Sequence, residues 1–275
     1  MKVIIVGPAH PYRGGIAAFT DRLATEFVAE DVDVELYTFT LQYPAFLFPG
    51  KTQYSDGPAP ENIKIFRKIN SVNPLTWIKT AKEIRNKKPD IVLFAYWMSF
   101  FAPCYSRMAK IISKNKTTRC IGLVHNMLPH EKSILDILFS PRFVKSMDAF
   151  VALSKSVLED VSKLDKKSKP KQFSPHPLYD HYGDREDRTL ALSSLYLDDR
   201  YNYLLFFGLI REYKGLDLLL KAMGDERIDE YPVKLIVAGE FYEKKEPYLQ
   251  LIDDYKINDK VIICDKYIPD EEVKN

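Results

Sequence analysis

A chain of 275 residues, 46% of them apolar, has material for two globular domains of ordinary size and enough apolar volume to fill their cores. Its 40 basic and 38 acidic residues leave a formal charge of +2, which excludes the strongly basic footprint of a nucleic-acid binder. Cys104, Cys120 and Cys264 are three in number and widely spaced, which argues against a disulfide framework or a zinc site and fits a reducing compartment.

The chain opens with four strongly apolar residues, Val3 to Val6, before Gly7 and Pro8. That run is too short for a signal-peptide core, and no later run approaches the roughly 18 apolar residues of a membrane span, so a cytoplasmic location is expected. The same residues predict a first strand, followed by a loop that carries Gly14 and Gly15 and by an amphipathic helix over 16–28, with Ile16, Phe19, Leu23 and Phe27 on one side. Paired glycines at a helix start let a ligand approach the backbone N–H groups, although a tight turn accounts for them equally well. No G-x-G-x-x-G can be read in this loop, which disfavours a nicotinamide dehydrogenase. Asp31-Val32-Asp33 matches a D-x-D pattern but sits in a turn before the second strand, where a surface loop is the expected role.

Short apolar runs continue at 34–38, 63–67, 91–95, 120–124 and 149–153, with helical patterns between them such as 74–88. Near-continuous apolar strands alternating with helices predict an α/β fold built on doubly wound parallel sheets. Between Leu75 and Cys120 ten Lys or Arg stand against two acidic residues. The stretch Lys110-Ile111-Ile112-Ser113-Lys114, with Met108 and Ala109, reads as a basic amphipathic helix that could touch anionic lipid, or as an ordinary solvated basic face. His125 directly follows the apolar run 120–124 and therefore lies at the C-terminal end of a strand, where α/β sheets place their ligands. His130, His176 and His181 carry no such signal.

The alternation lapses between Ser174 and Arg200, which places a boundary near Gly183 and divides the chain into domains 1–182 and 183–275. About six strands precede that boundary and three follow it, at 203–208, 233–239 and 261–264. The first of the three ends at Gly208 and leads through Arg211, Lys214 and Gly215 into a helix face of Leu216, Leu219, Leu220 and Met223. A helix N-terminus already favours anions, and two cations beside it predict a phosphate or diphosphate site. Pro269-Asp270-Glu271-Glu272-Val273 reads as the first turn of a further helix.

Six motifs in order carry a resemblance: Gly14-Gly15, Val124-His125-Asn126, Val151-Ala152-Leu153-Ser154, Gly208 to Gly215, Val237-Ala238-Gly239-Glu240 and Tyr267-Ile268-Pro269-Asp270-Glu271-Glu272. Together they are similar to the retaining glycosyltransferases of family 4. The resemblance implies the GT-B fold, two Rossmann-like domains facing across a cleft, with the first on the acceptor side and the second binding a nucleotide-sugar donor. It implies transfer of a sugar to a glycan or lipid-linked acceptor in cell-surface polysaccharide biosynthesis, with no metal and no cofactor, and peripheral contact with the inner membrane face. Matched residue by residue, Arg211 and Lys214 hold the donor diphosphate and stabilise the leaving nucleotide, and His125 faces the donor sugar. Gly14, Gly15, Gly208 and Gly215 shape the donor loops, Glu240 stands near the nucleoside, and Tyr267 and Ile268 line the base. The sequence departs from the family pattern in one place, since Leu209 stands where an arginine commonly follows the first glycine. The family's downstream pair of glutamates is also not reached, so the resemblance implies a truncated copy, and the competing expectation is a non-catalytic fragment with phosphate- or partner-binding capacity.

Overall fold

The computed structural model describes residues 1–44, 52–55, 57–128, 134–178, 182–269 and 272–274. His130, His181, Asp270, Glu271 and residues 45–51 and 56 of the loop over 41–56 lie outside the described residues. The chain divides into two compact units, with the division falling between Pro177 and Leu178.

The first unit is a seven-stranded parallel sheet flanked by helices. Its strands are β1 (Lys2–Val6), β2 (Asp33–Leu41), β3 (Lys64–Asn70), β4 (Ile91–Tyr96), β5 (Arg119–Val124), β6 (Ala149–Ala152) and β7 (Lys171–Phe173), ordered β3-β2-β1-β4-β5-β6-β7. The helices α1 (Gly15–Ala29), α2 (Pro74–Lys87), α3 (Ala102–Ile112), α4 (Ile134–Ser146) and α5 (Lys155–Leu164) connect them. Strand order reverses at β1, which pairs with β2 on one side and β4 on the other. In a sheet of this order the connections leaving β1 and β4 run to opposite faces, and the C-terminal edge between them is where such folds take their ligands.

Central strands are buried on both faces: Val3, Ile4, Ile5 and Val6 are all within 1% of full burial, and Val92, Phe94, Ala95 and Tyr96 are fully buried. At about 1.5–3 kcal/mol for each large apolar side chain removed from water, these strands are the main source of cohesion. Helix starts are set locally. Asn73 caps α2 by accepting from the Leu75 N–H at 3.0 Å, with Pro74 in the first turn. The Ser154 hydroxyl accepts from the Val157 N–H at 3.2 Å and caps α5, which gives the Val151-Ala152-Leu153-Ser154 motif a physical role.

The structure differs from the sequence expectation in two places. A seventh strand, β7, pairs with β6 at the sheet edge, where six had been expected. A short helix, α6 (Arg188–Ser194), occupies the stretch expected to be irregular; Asp187 caps it by accepting from the Thr189 N–H at 2.8 Å. For α3 the structure agrees with the second of the two readings, an ordinary solvated basic face. Met108, Ala109 and Ile112 are fully buried and Ile111 is 7% exposed, so the apolar residues belong to the domain core and only Arg107 and Lys110 of the helix's basic residues face water. The helix is amphipathic and turns its apolar side into the core, so α3 supplies no apolar face for lipid. Asp31 and Asp33 lie in the exposed turn entering β2, with Asp33 paired to Lys2 at 3.2 Å.

The second unit carries β8 (Asn202–Phe207), α7 (Leu216–Met223), β9 (Val233–Ala238), α8 (Glu246–Asp254) and β10 (Val261–Cys264). Its three strands are parallel, in the order β10-β9-β8. Ile210, Leu216, Leu220, Met223, Leu235, Val237, Tyr248, Ile252 and Ile257 form its core. Both units are therefore Rossmann-like, as the GT-B expectation requires.

Candidate functional site

In the first unit the residues singled out from the sequence gather at the C-terminal edge of the sheet. Gly14 takes φ +106°, a backbone conformation that favours glycine, and starts α1 with no side-chain cap and no acidic residue in the first turn. The positive end of that helix dipole is thus not offset from within its own first turn. Four residues beyond Gly15, Phe19 meets the His125 ring edge-on, with centroids 4.9 Å apart and planes at 85°. His125 follows β5, and its backbone N–H donates to the Tyr96 carbonyl at 2.8 Å, which ties it to the end of β4. The glycine-bearing helix start and His125 are therefore brought together through Phe19.

Burial, with a smaller contribution from His176 nearby, pushes the His125 imidazole down to about 4. It is neutral at pH 7, and its buried Nε2 has no hydrogen-bond partner among the described residues. An unpaired buried polar atom costs roughly 1–3 kcal/mol, so a ligand that supplies the missing partner recovers that cost.

Asp21 was not singled out from the sequence. From the second turn of α1 its carboxylate accepts the backbone N–H of His10, at 3.2 and 3.1 Å to its two oxygens, and so ties the glycine loop to the helix. Burial pushes the Asp21 carboxyl up to about 7, and the His10 hydrogen bond offsets part of this. Because the folded value lies above the unfolded one, the unfolded chain loses this proton first, and stability falls as pH rises from about 4 to about 7. Asp21→Asn keeps the accepting oxygen and removes the charge. It is expected to stabilise the protein by about 2 kcal/mol at pH 8, discounted for partial access of the group to water, and to be neutral near pH 4. Thermal melts at the two pH values check this, and an equal change in Tm at both would refute it.

In the second unit the sequence-derived residues also share the C-terminal edge of the sheet. Gly208 directly follows β8, and its N–H donates to the Ala238 carbonyl at 2.9 Å. Arg211 is extended, Glu212–Lys214 form one 3-10 turn, and Gly215 (φ +76°) opens α7. The Lys214 Nζ comes back to within 3.5 Å of where a Cβ on Gly208 would stand. Partial burial and the neighbouring Arg211 charge lower the Lys214 ammonium from its ordinary value, although the side chain as a whole remains open to solvent. Neither cation makes an ion pair with a described carboxylate. Glu240 follows β9, where its carbonyl accepts the Ile210 N–H at 3.0 Å. Tyr267 and Ile268 follow β10. Tyr242, unmarked by any sequence signal, lies under Arg211, whose guanidinium carbon is 3.7 Å from the ring centroid.

Two Rossmann-like units, each with a glycine-marked helix start at the C-terminal edge of a parallel sheet, define the GT-B class of protein. Residues 13–171 match the model of Glycosyltransferase Family 4, and residues 187–275 match that of Glycosyl transferases group 1. The first match alone covers more than half of the sequence, and the chain belongs to Glycosyltransferase Family 4. It is 24% identical over 229 residues to O-antigen chain mannosyltransferase C of Escherichia coli, which covers 82% of this chain and 57% of the relative. Among solved structures it resembles sucrose-phosphate synthase from Thermosynechococcus elongatus, with TM-score 0.70, 12% identity, and coverage of 100% of this chain and 72% of that one. It also resembles Anabaena Alr3699/HepE in complex with UDP and glucose, with TM-score 0.68, 11% identity, and coverage of 99% and 71%. The chain thus spans little more than half the length of the curated relative.

Proposed function

We propose that the protein transfers a sugar from a nucleotide-sugar donor to a glycan or lipid-linked acceptor in assembly of a cell-surface polysaccharide, with retention of anomeric configuration and without a bound metal. The observation that carries this reading is the pair Arg211 and Lys214 at the end of β8, two cations without carboxylate partners among the described residues, beside the start of α7. Breaking a sugar–phosphate bond builds negative charge on the leaving oxygen, and fixed cations aimed at that charge act most strongly in the transition state. The E. coli mannosyltransferase and the UDP-bound structure support the class of reaction and of donor. The first unit takes the acceptor and the second the donor, and Glu240, Tyr267 and Ile268 line the nucleoside. Three free cysteines support a reducing compartment, and no described helix is long and apolar enough to cross a membrane. Contact with an anionic membrane surface rests on exposed charges such as Arg107, Lys110 and Lys114, since the apolar side of α3 is core.

A screen of nucleotide-sugars against glycan and lipid-linked acceptors, with the whole protein, tests the reading. Transfer that retains configuration and persists in a chelator is expected. Inversion, or loss of activity restored by a divalent cation, would overturn the corresponding part.

His125, neutral and buried, is read as a hydrogen-bonding partner of the donor sugar. His125→Ala is expected to lower kcat/KM by roughly 10- to 100-fold. Because the imidazole takes up a proton only near pH 4, the wild-type rate profile is expected to show no His125 inflection between pH 5 and 8. An inflection near 6.5 that disappears in His125→Asn would contradict this assignment.

A further inference from the structure

The cationic loop after β8 is held by the loop after β9. Beyond Gly208 and Gly239 the two strands lead into separate connections, yet their ladder continues for one more step: the Ile210 N–H donates to the Glu240 carbonyl and the Tyr242 N–H to the Ile210 carbonyl, both at 3.0 Å. Ile210 pairs with Phe241 in a parallel bridge and is fully buried in the core of this unit. The bridge is therefore anchored from below, and it sets the register of the residues that follow on each side. Arg211 comes next in one loop and Tyr242 in the other. The Arg211 guanidinium carbon lies 3.7 Å from the Tyr242 ring centroid, well inside the roughly 6 Å within which a cation is attracted to an aromatic face.

An arginine side chain free in solution carries roughly 2 kcal/mol of rotamer entropy, which it must give up when it grips a ligand. A ring under one face of the guanidinium takes up much of that cost in advance and leaves the planar N–H edge free for two parallel hydrogen bonds to phosphate oxygens. No described group pairs with that edge as a carboxylate would.

We propose that Tyr242 is a positioning residue: its ring is the shelf that holds Arg211 ready for the diphosphate of the donor. This rests on the reading of Arg211 and Lys214 as the diphosphate cations. It also accounts for how an arginine three residues beyond Gly208 serves the site, since the β9 loop, rather than the residue's place in its own loop, fixes where its head group sits.

The test is a cycle of variants in the whole protein, Tyr242→Ala, Tyr242→Phe, Arg211→Ala and the double variant Tyr242→Ala/Arg211→Ala, titrated calorimetrically with UDP, GDP and ADP, with Lys214→Ala alongside. For the diphosphate that binds tightest, Tyr242→Ala is expected to weaken binding about 3- to 10-fold and Tyr242→Phe less than about twofold, since the ring face survives. On the Arg211→Ala background, removal of Tyr242 is expected to cost nothing further. Two results overturn the proposal while leaving the diphosphate site intact: Arg211→Ala weakens binding and Tyr242→Ala does not, or Tyr242→Ala costs the same with and without Arg211. If neither Arg211→Ala nor Lys214→Ala changes binding of any diphosphate, the site reading fails and the proposal with it. Tyr242→Leu, which keeps apolar bulk without the aromatic face, distinguishes stacking from packing: affinity equal to wild type would also overturn it.

Discussion

Lys214→Ala is expected to lower kcat/KM by roughly 30- to 1000-fold, equivalent to about 2–4 kcal/mol of transition-state stabilisation. The figure follows from where the ammonium sits. Lys214 ends the 3-10 turn after β8, its Nζ returns toward Gly208, and a second cation, Arg211, lies close enough to disfavour its charge. Two like charges kept together without a described carboxylate are poorly placed for stability alone, and an anion between them removes the repulsion. A diphosphate gaining charge as its sugar departs fits that need better in the transition state than in the ground state, so the loss should fall mainly on kcat. Stability should change little or rise slightly, since the variant relieves the repulsion. A loss below about threefold would remove Lys214 from the site, and a large loss confined to the donor KM would make it a ground-state binder.

The fold was legible wherever a strand is a short apolar run, whether buried on both faces as in β1 and β4 or largely exposed as in β8, where Leu204, Leu205 and Phe207 face water. β1, β4, β5 and β8 to β10 announce themselves as apolar runs, and the glycine after a strand marks the turn into α7. β7 does not, because Lys-Gln-Phe is three residues long with one apolar side chain, and only pairing to β6 makes it a strand. α6 buries only Ala191 and Leu192, too little to leave a period, although Asp187 two residues before Thr189 was a readable cap. α3 was amphipathic as read, with Arg107 and Lys110 on its water side; what its own sequence does not encode is that the apolar side is covered by the domain core rather than by lipid. The candidate residues lie on loops that the sequence located correctly along the chain. What could not be read was contact between loops. Tyr242 reaches Arg211 only because a parallel bridge joins Ile210 to Phe241, and Asp21 reaches His10 only because α1 folds back beside β1. The first pairing is fixed by sheet register and the second by how the loop turns back onto its helix, and a residue's own neighbours in sequence encode neither.

Gly239→Ala is expected to destabilise the second unit by about 3–5 kcal/mol and to disable the cationic loop without altering either of its cations. A Cβ built on Gly239 would stand 2.1 Å from the Gly208 carbonyl oxygen and 2.7 Å from its carbon, and the residue's φ of +145° is itself one that side chains rarely adopt. The clash is with backbone and cannot be relieved by a rotamer change. At Gly14, by contrast, a Cβ meets nothing within 4 Å, and only the backbone angle opposes it. Gly239 is also pinned from the other side, since its N–H donates to the Cys264 carbonyl at 3.0 Å. The strain must therefore move β8, the strand that carries Gly208, and with it the Ile210–Phe241 bridge that seats Arg211 on Tyr242. Calorimetry should show the second unit's transition lowered by roughly 15–25 °C, on the usual scaling for a unit of this size. Diphosphate affinity measured well below that transition should fall at least as far as in Arg211→Ala, because the arginine loses its shelf while the lysine loses its place beside Gly208. A variant that melts within about 2 °C of wild type would mean that β8 and β9 separate more easily than their hydrogen bonds imply. Normal stability with lost affinity would place the effect in the loops alone.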